Sequence, residues 1–201
     1  MATRYVLLGL LDIKPMSGYD IRRNLKISLD SLWSASYGQI YPTLHRLADQ
    51  GLVHAVSTPT GSRERIVYHL TDEGRAEFEA WLNEPISYPP TRDPFRFWAS
   101  YIDVLPAKTV RTGIDRHIST YRARIIYYDQ VLKSIEDGEH PMIKARAASL
   151  PPDRLERLKA TRSMIFLELR ELAEFEIASA ERIRRFWLDN LAEDAEDADD
   201  A

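Results

Sequence analysis

The 201-residue chain contains no cysteine. Without thiols it can form neither a disulfide framework nor a thiolate metal site, and it has no cysteine nucleophile. No apolar run approaches the roughly 18 residues that a membrane-spanning helix needs, and residues 1–14 lack the cleavage region of a signal peptide. These absences predict a cytoplasmic protein that makes no membrane contact.

Motifs of catalysis and cofactor binding are missing too. The sequence has no G-x-S-x-G, P-loop or G-x-G-x-x-G pattern, and no nucleophile–base arrangement is visible in it. The five histidines show no HxxxH spacing, and such spacing would be expected of a dedicated metal site. We therefore predict that the chain is not an enzyme and holds neither a metal nor another cofactor.

The composition is that of a globular protein, with 44% hydrophobic and 29% charged residues. The net charge of −4 is unevenly distributed, because residues 1–70 carry +3 and the remainder −7. Seven acids and no base lie in residues 189–201, and we expect the acidic tail, residues 192–201, to be disordered. Since the local field attracts a polyanion, the positive first third permits nucleic-acid binding.

Capping signals predict two successive helices near the start of the chain. They follow an apolar segment, residues 5–13, whose periodicity does not separate helix from buried strand. Ser17 followed by Asp20 has the spacing of a helix cap. Ser36 begins a second signal of the same spacing, and Gly51 stands where a left-handed residue would end that helix.

Pro42 falls inside the second predicted helix, which should therefore bend or begin later than its cap. Beyond that helix, residues 52–57 and 65–70 are β-prone and flank a turn rich in proline, glycine and hydroxyl side chains. Thr71 then caps a further helix, with acidic residues in its first turn. The order of these elements predicts a hairpin between two helices.

A domain boundary is predicted where four of the eleven prolines fall in residues 84–94. We expect one domain over 1–84, a linker over 85–94 and a second domain over 95–191. The pattern beyond the boundary predicts helices over about 94–104, 107–137 and 153–191.

The predicted first domain has the element order of a winged helix-turn-helix. The expected fold is therefore mainly α with a small β-hairpin, a winged helix-turn-helix followed by an α-helical dimerisation domain. In this class a recognition helix, here residues 37–50, enters the major groove. Its polar and flat side chains suit base edges, and arginines at the hairpin suit phosphates. The candidate DNA-binding residues are Gln39, Tyr41, Pro42, His45 and Arg46 on the helix, with Arg63 and Arg65 on the hairpin.

The last predicted helix carries a seam whose positions alternate in steps of three and four, as in a coiled coil. Because so long a helix exceeds what one small domain covers, the seam predicts a homodimer, although packing within one chain remains the alternative. The candidate dimerisation residues are Leu155, Leu158, Ile165, Leu169, Leu172, Ile183 and Phe186.

Aromatic residues concentrate around the predicted domain boundary and could line a pocket for a small-molecule effector. Phenol and indole donors would suit a flat, aromatic or amphipathic ligand. The alternative is that the rings form an ordinary core. The candidate pocket residues are Trp81, Phe95, Trp98, Tyr101 and Trp187.

Five motifs, in order over residues 5–75, resemble the PadR family of bacterial transcriptional regulators. They are LLGLL at 7–11, GYDI at 18–21, GQIYPTLHRL at 38–47, GLV at 51–53 and YHLTDEG at 68–74. The resemblance implies a homodimer, usually a repressor, that binds two-fold operator DNA and is released by a small molecule. It also implies base contacts by Gln39, Tyr41, Pro42 and His45, and backbone contacts by Tyr19 and Tyr37.

Two other classes of function stay open at this point. The winged helix could serve as a protein-interaction or ligand-binding module without specific DNA binding, and the outer face of its recognition helix would then be an ordinary solvated surface. An enzyme that uses tyrosine and histidine side chains is the other class. A mobility-shift experiment with DNA separates these alternatives.

Overall fold

The computed structural model describes residues 2–28, 37–60, 63–86 and 92–190, which fall into two compact units. The first unit comprises Met1–Ser87 and His140–Leu155, and the second comprises Tyr88–Glu139 and Glu156–Ala201. The predicted acidic tail lies outside the described residues. In chain order the helices and strands are α1 (Ala2–Ile13), β1 (Met16–Ser17), α2 (Gly18–Ser28), α3 (Ile40–Asp49), β2 (Val53–Thr60), β3 (Arg63–Leu70), α4 (Asp72–Leu82), α5 (Pro94–Ala99), α6 (Ala107–Glu136), α7 (Pro141–Ala147) and α8 (Pro152–Asn190), with 3₁₀ turns at Tyr37–Gln39 and Ile102–Val104.

The sheet of the first unit has three antiparallel strands in the order β1-β3-β2. The hairpin strands are longer than predicted, since Thr60 pairs with Arg63 and Pro59 with Glu64. Pro59 fits in β2 because β2 is an edge strand, and the amide that proline lacks is not needed to donate a hydrogen bond to a second neighbouring strand. The third strand was not predicted, because β1 has only two residues, paired with Tyr68 and Val67.

The predicted helix boundaries of the first unit rest on local hydrogen bonds. Asp20 N donates to Ser17 Oγ at 3.3 Å, while Asp20 Oδ2 accepts from Ser17 N at 3.1 Å. Gly51, at φ 72°, ends α3: its amide donates to Ala48 O, and the next amide, of Leu52, donates to Leu47 O. Such paired bonds with a left-handed glycine satisfy the last carbonyls of a helix. The caps predicted at Ser17 and Gly51 are confirmed.

The core of the first unit forms where the apolar faces of its helices meet the sheet. The segment 5–13, ambiguous in the sequence, is helical and buries four leucines, Leu7, Leu8, Leu10 and Leu11. They pack with Ile21 of α2 and with Ile40, Leu44 and Leu47 of α3. Burial of this stripe fixes α3 with its opposite face turned outward.

Residues 140–155 join the first unit, although the sequence places them in the second domain. Met142 of α7 is buried in the first core, and Arg146 donates to Asp12 Oδ2 at 2.6 Å. Asp12 also pairs with Arg75 of α4. One largely buried carboxylate thus joins α1, α4 and α7, and no local sequence signal reveals a pairing across 134 residues.

The second unit is built on the long helices α6 and α8. Val110, Ile114 and Ile118 of α6 are buried with Ala180 and Trp187 of α8. The single helix expected over 94–104 is instead α5 followed by a 3₁₀ turn. Asp93 caps α5, where Pro94 holds the first position, so that proline belongs to the helix and not to a linker.

Candidate nucleic-acid interface

The outer face of α3 consists of its exposed positions, which lie opposite the buried stripe and are Tyr41, Pro42, His45, Arg46 and Asp49. The α-helix begins at Ile40, after the 3₁₀ turn, and not at residue 37. This later start places Pro42 in the first helical turn, where its missing amide leaves no bond unmade. A helix with its polar face outward and its N-terminal turn accessible can enter a groove.

Tyr41 packs against the first turn of α2. A Cβ atom added to Gly18 would lie 2.4 Å from Tyr41 Cε1, so only glycine permits this approach. Burial raises the pKa of the Tyr68 phenol, and the neighbouring Tyr41 hydroxyl raises it further. Tyr19, next to Gly18, is 68% exposed and Tyr41 is 49% exposed. The structure therefore brings these two predicted contact residues to the same edge of the outer face.

Arg65 is tied to the cap of α2. Its Nη2 donates to Asp20 Oδ2, the same oxygen that accepts from Ser17 Oγ at 2.6 Å. Burial by itself would raise the pKa of Asp20, but the Ser17 hydrogen bonds and Arg65 outweigh burial and lower it. Asp20 thus stays ionised and holds a half-exposed guanidinium near the start of β3, at the turn end of the hairpin.

Gln39 and Arg46 lie on the opposite flank of α3, next to the start of α1. They line a pocket of about 220 Å³ with Thr3, Arg4, Thr43, Leu47 and Gln50. Sequence reasoning did not select Arg4, whose Nη2 donates to Gln50 Oε1 at 3.2 Å. Tyr37 and Arg63 lie at the start of the 3₁₀ turn and of β3, but their side chains are outside the described part.

The predicted dimerisation residues differ in their exposure. Leu155 belongs to the first unit and the other six to the second. Leu172 and Phe186 are 61% and 60% exposed, and Ile165 is also exposed. The remaining four are half-buried, as the burial pattern shows for Leu155, Leu158, Leu169 and Ile183.

A stripe of α8 is buried within the second unit, one residue after the positions of Ile165, Leu172 and Phe186. Phe166, Ala173, Ala180 and Trp187 recur every seven residues and are each at most 2% exposed. This stripe was not predicted. It leaves the column of Ile165, Leu172 and Phe186 beside it, exposed on the single chain.

The structure places Trp81 in the first unit and brings three other predicted effector residues, Phe95, Trp98 and Trp187, together in the core of the second, where Phe95 stacks on Trp98 with ring centroids 5.8 Å apart. Trp81 stacks on Tyr5 in the first unit. In the second unit Phe95 stacks on His117 with ring centroids 3.6 Å apart, and Trp187 is buried in the core. Trp98 packs so closely on Gly113 that an added Cβ would lie 2.5 Å from its ring. These rings pack against neighbours within each unit.

The second unit also has a groove of about 540 Å³ between α5 and α8, whose lining does not include Trp98 or Tyr101. Arg96 and Arg182 contribute cationic side chains to it, and its other lining residues are Ala99, Ser100, Ile102, Asp103, Ile183 and Phe186. Among the described residues, no three histidine, aspartate or glutamate side chains are arranged to hold a metal ion. No helix in the described ranges is long and apolar enough to cross a membrane.

The fold and the exposed face of α3 define a winged-helix protein with an appended helical unit. Residues 7–80 match the family model of the "Transcriptional regulator PadR-like family", so this part of the chain is similar to that family. The family consists of transcriptional regulators, which are generally not enzymes.

Relatives support this similarity. The chain is 39% identical to the negative transcriptional regulator PadR of Bacillus subtilis over 104 residues, which cover 51% of this chain and 57% of the relative. It therefore matches little more than half the length of that relative. The structure of Bacillus subtilis PadR in complex with operator DNA superposes with a TM-score of 0.68 at 28% identity, covering 91% of this chain and 97% of that one. A structure of the same protein in complex with p-coumaric acid superposes with a TM-score of 0.54 at 26% identity. This match covers 90% of this chain and 98% of that one.

Proposed function

We propose that the protein is a sequence-specific DNA-binding regulator, a homodimeric repressor that acts in the cytoplasm on double-stranded operator DNA and has no enzymatic activity. The observation that carries the proposal is the outer face of α3, held outward by its buried stripe and flanked by Tyr19 and Arg65. The superposition with a relative in complex with operator DNA supports it.

The side chains divide into base-reading and phosphate-binding roles. His45 and Tyr41 project from the helix that enters the major groove in this class, and Gln39 stands at its start, where an amide side chain can pair with adenine. Tyr19 and Arg65 lie where the neighbouring strand would pass, so they suit phosphates, which fix position but carry no sequence information.

We predict that His45→Ala and Gln39→Ala each cost about 1–3 kcal/mol of binding free energy on the specific site and far less on random DNA. Arg65→Ala should instead weaken binding to the specific site and to random DNA alike. It should also reduce the steepness of log affinity against log salt concentration by about 0.9. Fluorescence anisotropy with both DNAs over a salt series measures these effects.

His54→Ala is the matched control for the histidine substitution. His54 is exposed on β2, outside α3, and stacks on His69. Equal losses on specific and random DNA for His45→Ala and Gln39→Ala would show that neither side chain reads a base.

The homodimer is supported by the exposed column on α8. Ile165, Leu172 and Phe186 line one side of a helix of 39 residues, about 58 Å long. A second copy of the chain, related by two-fold symmetry, would cover this column and present two copies of α3 to two half-sites.

The effector is proposed to be a small aromatic or amphipathic acid bound in the groove of the second unit. The groove has the volume of a small-molecule site, largely apolar walls and one arginine, Arg182, suited to a carboxylate. The other arginine, Arg96, is already paired with Asp93 and Glu176. A relative in complex with p-coumaric acid supports this ligand class. To release DNA the effector must bind the DNA-incompetent arrangement more tightly than the competent one.

We predict that planar aromatic carboxylates quench tryptophan fluorescence and lower operator affinity, whereas their methyl esters do so much less. Arg182→Gln should raise the concentration needed for both effects, because the carboxylate loses a cationic partner. Trp98→Ala should remove most of the quenching. If a confirmed effector acts equally on both variants, it binds elsewhere.

A further inference from the structure

The pocket between α1 and α3 is lined by polar donors and two arginines. Thr3, Thr43, Gln39 and Gln50 surround the guanidinium groups of Arg4 and Arg46, and Leu47 is the one apolar lining residue. The lining includes no carboxylate. A cavity of about 220 Å³ with this lining can hold one phosphate group and its water.

Arg46 is held along its own helix. Its Nε donates to Pro42 O at 3.4 Å and its Nη2 to Thr43 Oγ1 at 3.3 Å. To read guanine, Arg46 would have to present a pair of N–H donors outward along the helix radius. That conformation would break its hydrogen bond to Thr43 Oγ1. The observed conformation turns its charge toward the pocket.

Arg4 is fixed at the other side of the pocket. It pairs with Glu77 of α4 at 2.5 Å, donates to Gln50 and lies 5.5 Å from the Tyr5 ring centre. Glu77 compensates the charge of Arg4, so the pocket retains the uncompensated charge of Arg46. The site is therefore cationic and partly preorganised.

The pocket and Tyr41 lie on opposite flanks of α3. At 3.6 residues per turn, Tyr41 and Arg46 are about 140° apart around the axis, with the exposed Pro42, His45 and Asp49 between them. A helix with its side chains is about as wide as the roughly 12 Å major groove. Each flank must therefore face the phosphates of a different strand.

The geometry points to this pocket as a second phosphate-binding site, in which Arg46 and Arg4 hold the strand opposite the one that meets Tyr19 and Arg65. The inference rests on the proposed function, since it concerns how the same helix is seated in DNA. It assigns Arg46 to backbone contact instead of base reading, and adds Arg4 to the interface.

Anisotropy titrations of the full-length protein with specific and random DNA test this site. Arg46→Gln should lower affinity for both by the same factor, about fivefold at 0.15 M salt, because one phosphate contact contributes about 0.9 to the salt slope. The slope should fall by the same 0.9, and Arg4→Gln should lower it by less, because Glu77 already pairs with Arg4. Arg46→Lys should keep the slope, since it keeps the charge.

Arg116→Gln, an exposed position on α6, removes the same charge and should leave affinity and slope unchanged. Thermal unfolding followed by circular dichroism checks that each variant folds. A loss confined to specific DNA for Arg46→Gln would make it a base reader, and an unchanged slope for both arginine variants would overturn the site. Failure of the unaltered protein to bind either DNA would overturn the proposed function as well.

Discussion

Replacing Leu172 and Phe186 together with glutamate is expected to give monomers and to lower operator affinity by about 10²- to 10⁴-fold, the advantage that linking two binding modules provides. Both side chains are more than half exposed on the single chain and lie two heptads apart on α8. In a dimer, each would place a carboxylate in the apolar interface, where burial of an unpaired charge is strongly unfavourable.

Leu172 and Phe186 are better targets than Leu169, which is half-buried against its own unit. Ile126→Glu with Leu82→Glu is the matched control. Both positions are 60% exposed and lie off α8, so the control adds the same charge and should remain dimeric. Light scattering and anisotropy measure the two effects, and an intact dimer in the α8 variant would place the interface elsewhere.

Phe166→Ala is expected to destabilise the second unit by about 3–5 kcal/mol, the usual cost of removing a fully buried phenylalanine. Phe166 is 1% exposed and packs near Tyr128 of α6, with ring centroids 6.2 Å apart. Its loss leaves a cavity in the stripe that joins α6 and α8. Urea unfolding at one fixed protein concentration measures the free energy of unfolding, since dimerisation couples stability to concentration.

Phe97→Ala serves as the control for this substitution, because Phe97 is the same residue type but 69% exposed on α5. It should change the free energy of unfolding by less than about 1 kcal/mol. Similar losses for both variants would contradict the assignment of Phe166 to the core.

Signals that act over a few residues were readable from the sequence. The caps at Ser17 and Thr71 and the glycine at position 51 set helix ends through bonds to near neighbours. The inward stripe of α3 follows from helical spacing, so the outer face could be predicted with it. Family motifs over residues 5–75 indicated the same class of protein, and the match over residues 7–80 confirms it.

Features that depend on distant partners were not predictable. The Asp12–Arg146 bond, which joins α7 to the first unit, connects residues far apart in the chain. Arg4 acquires its place beside α3 only through the fold. In α8, the prediction followed the large leucines and isoleucines. The buried stripe next to them is half alanine, and the small side chains of Ala173 and Ala180 let helices approach closely.

Footprinting and quantitative binding on the DNA upstream of the protein's own gene test the central claim most directly. We expect protection of a two-fold site whose half-sites are about one helical turn, or a multiple of it, apart. Affinity for that site should exceed affinity for random DNA by at least about 10³ at physiological salt. No protected site, together with equal affinity for both DNAs, would contradict the account.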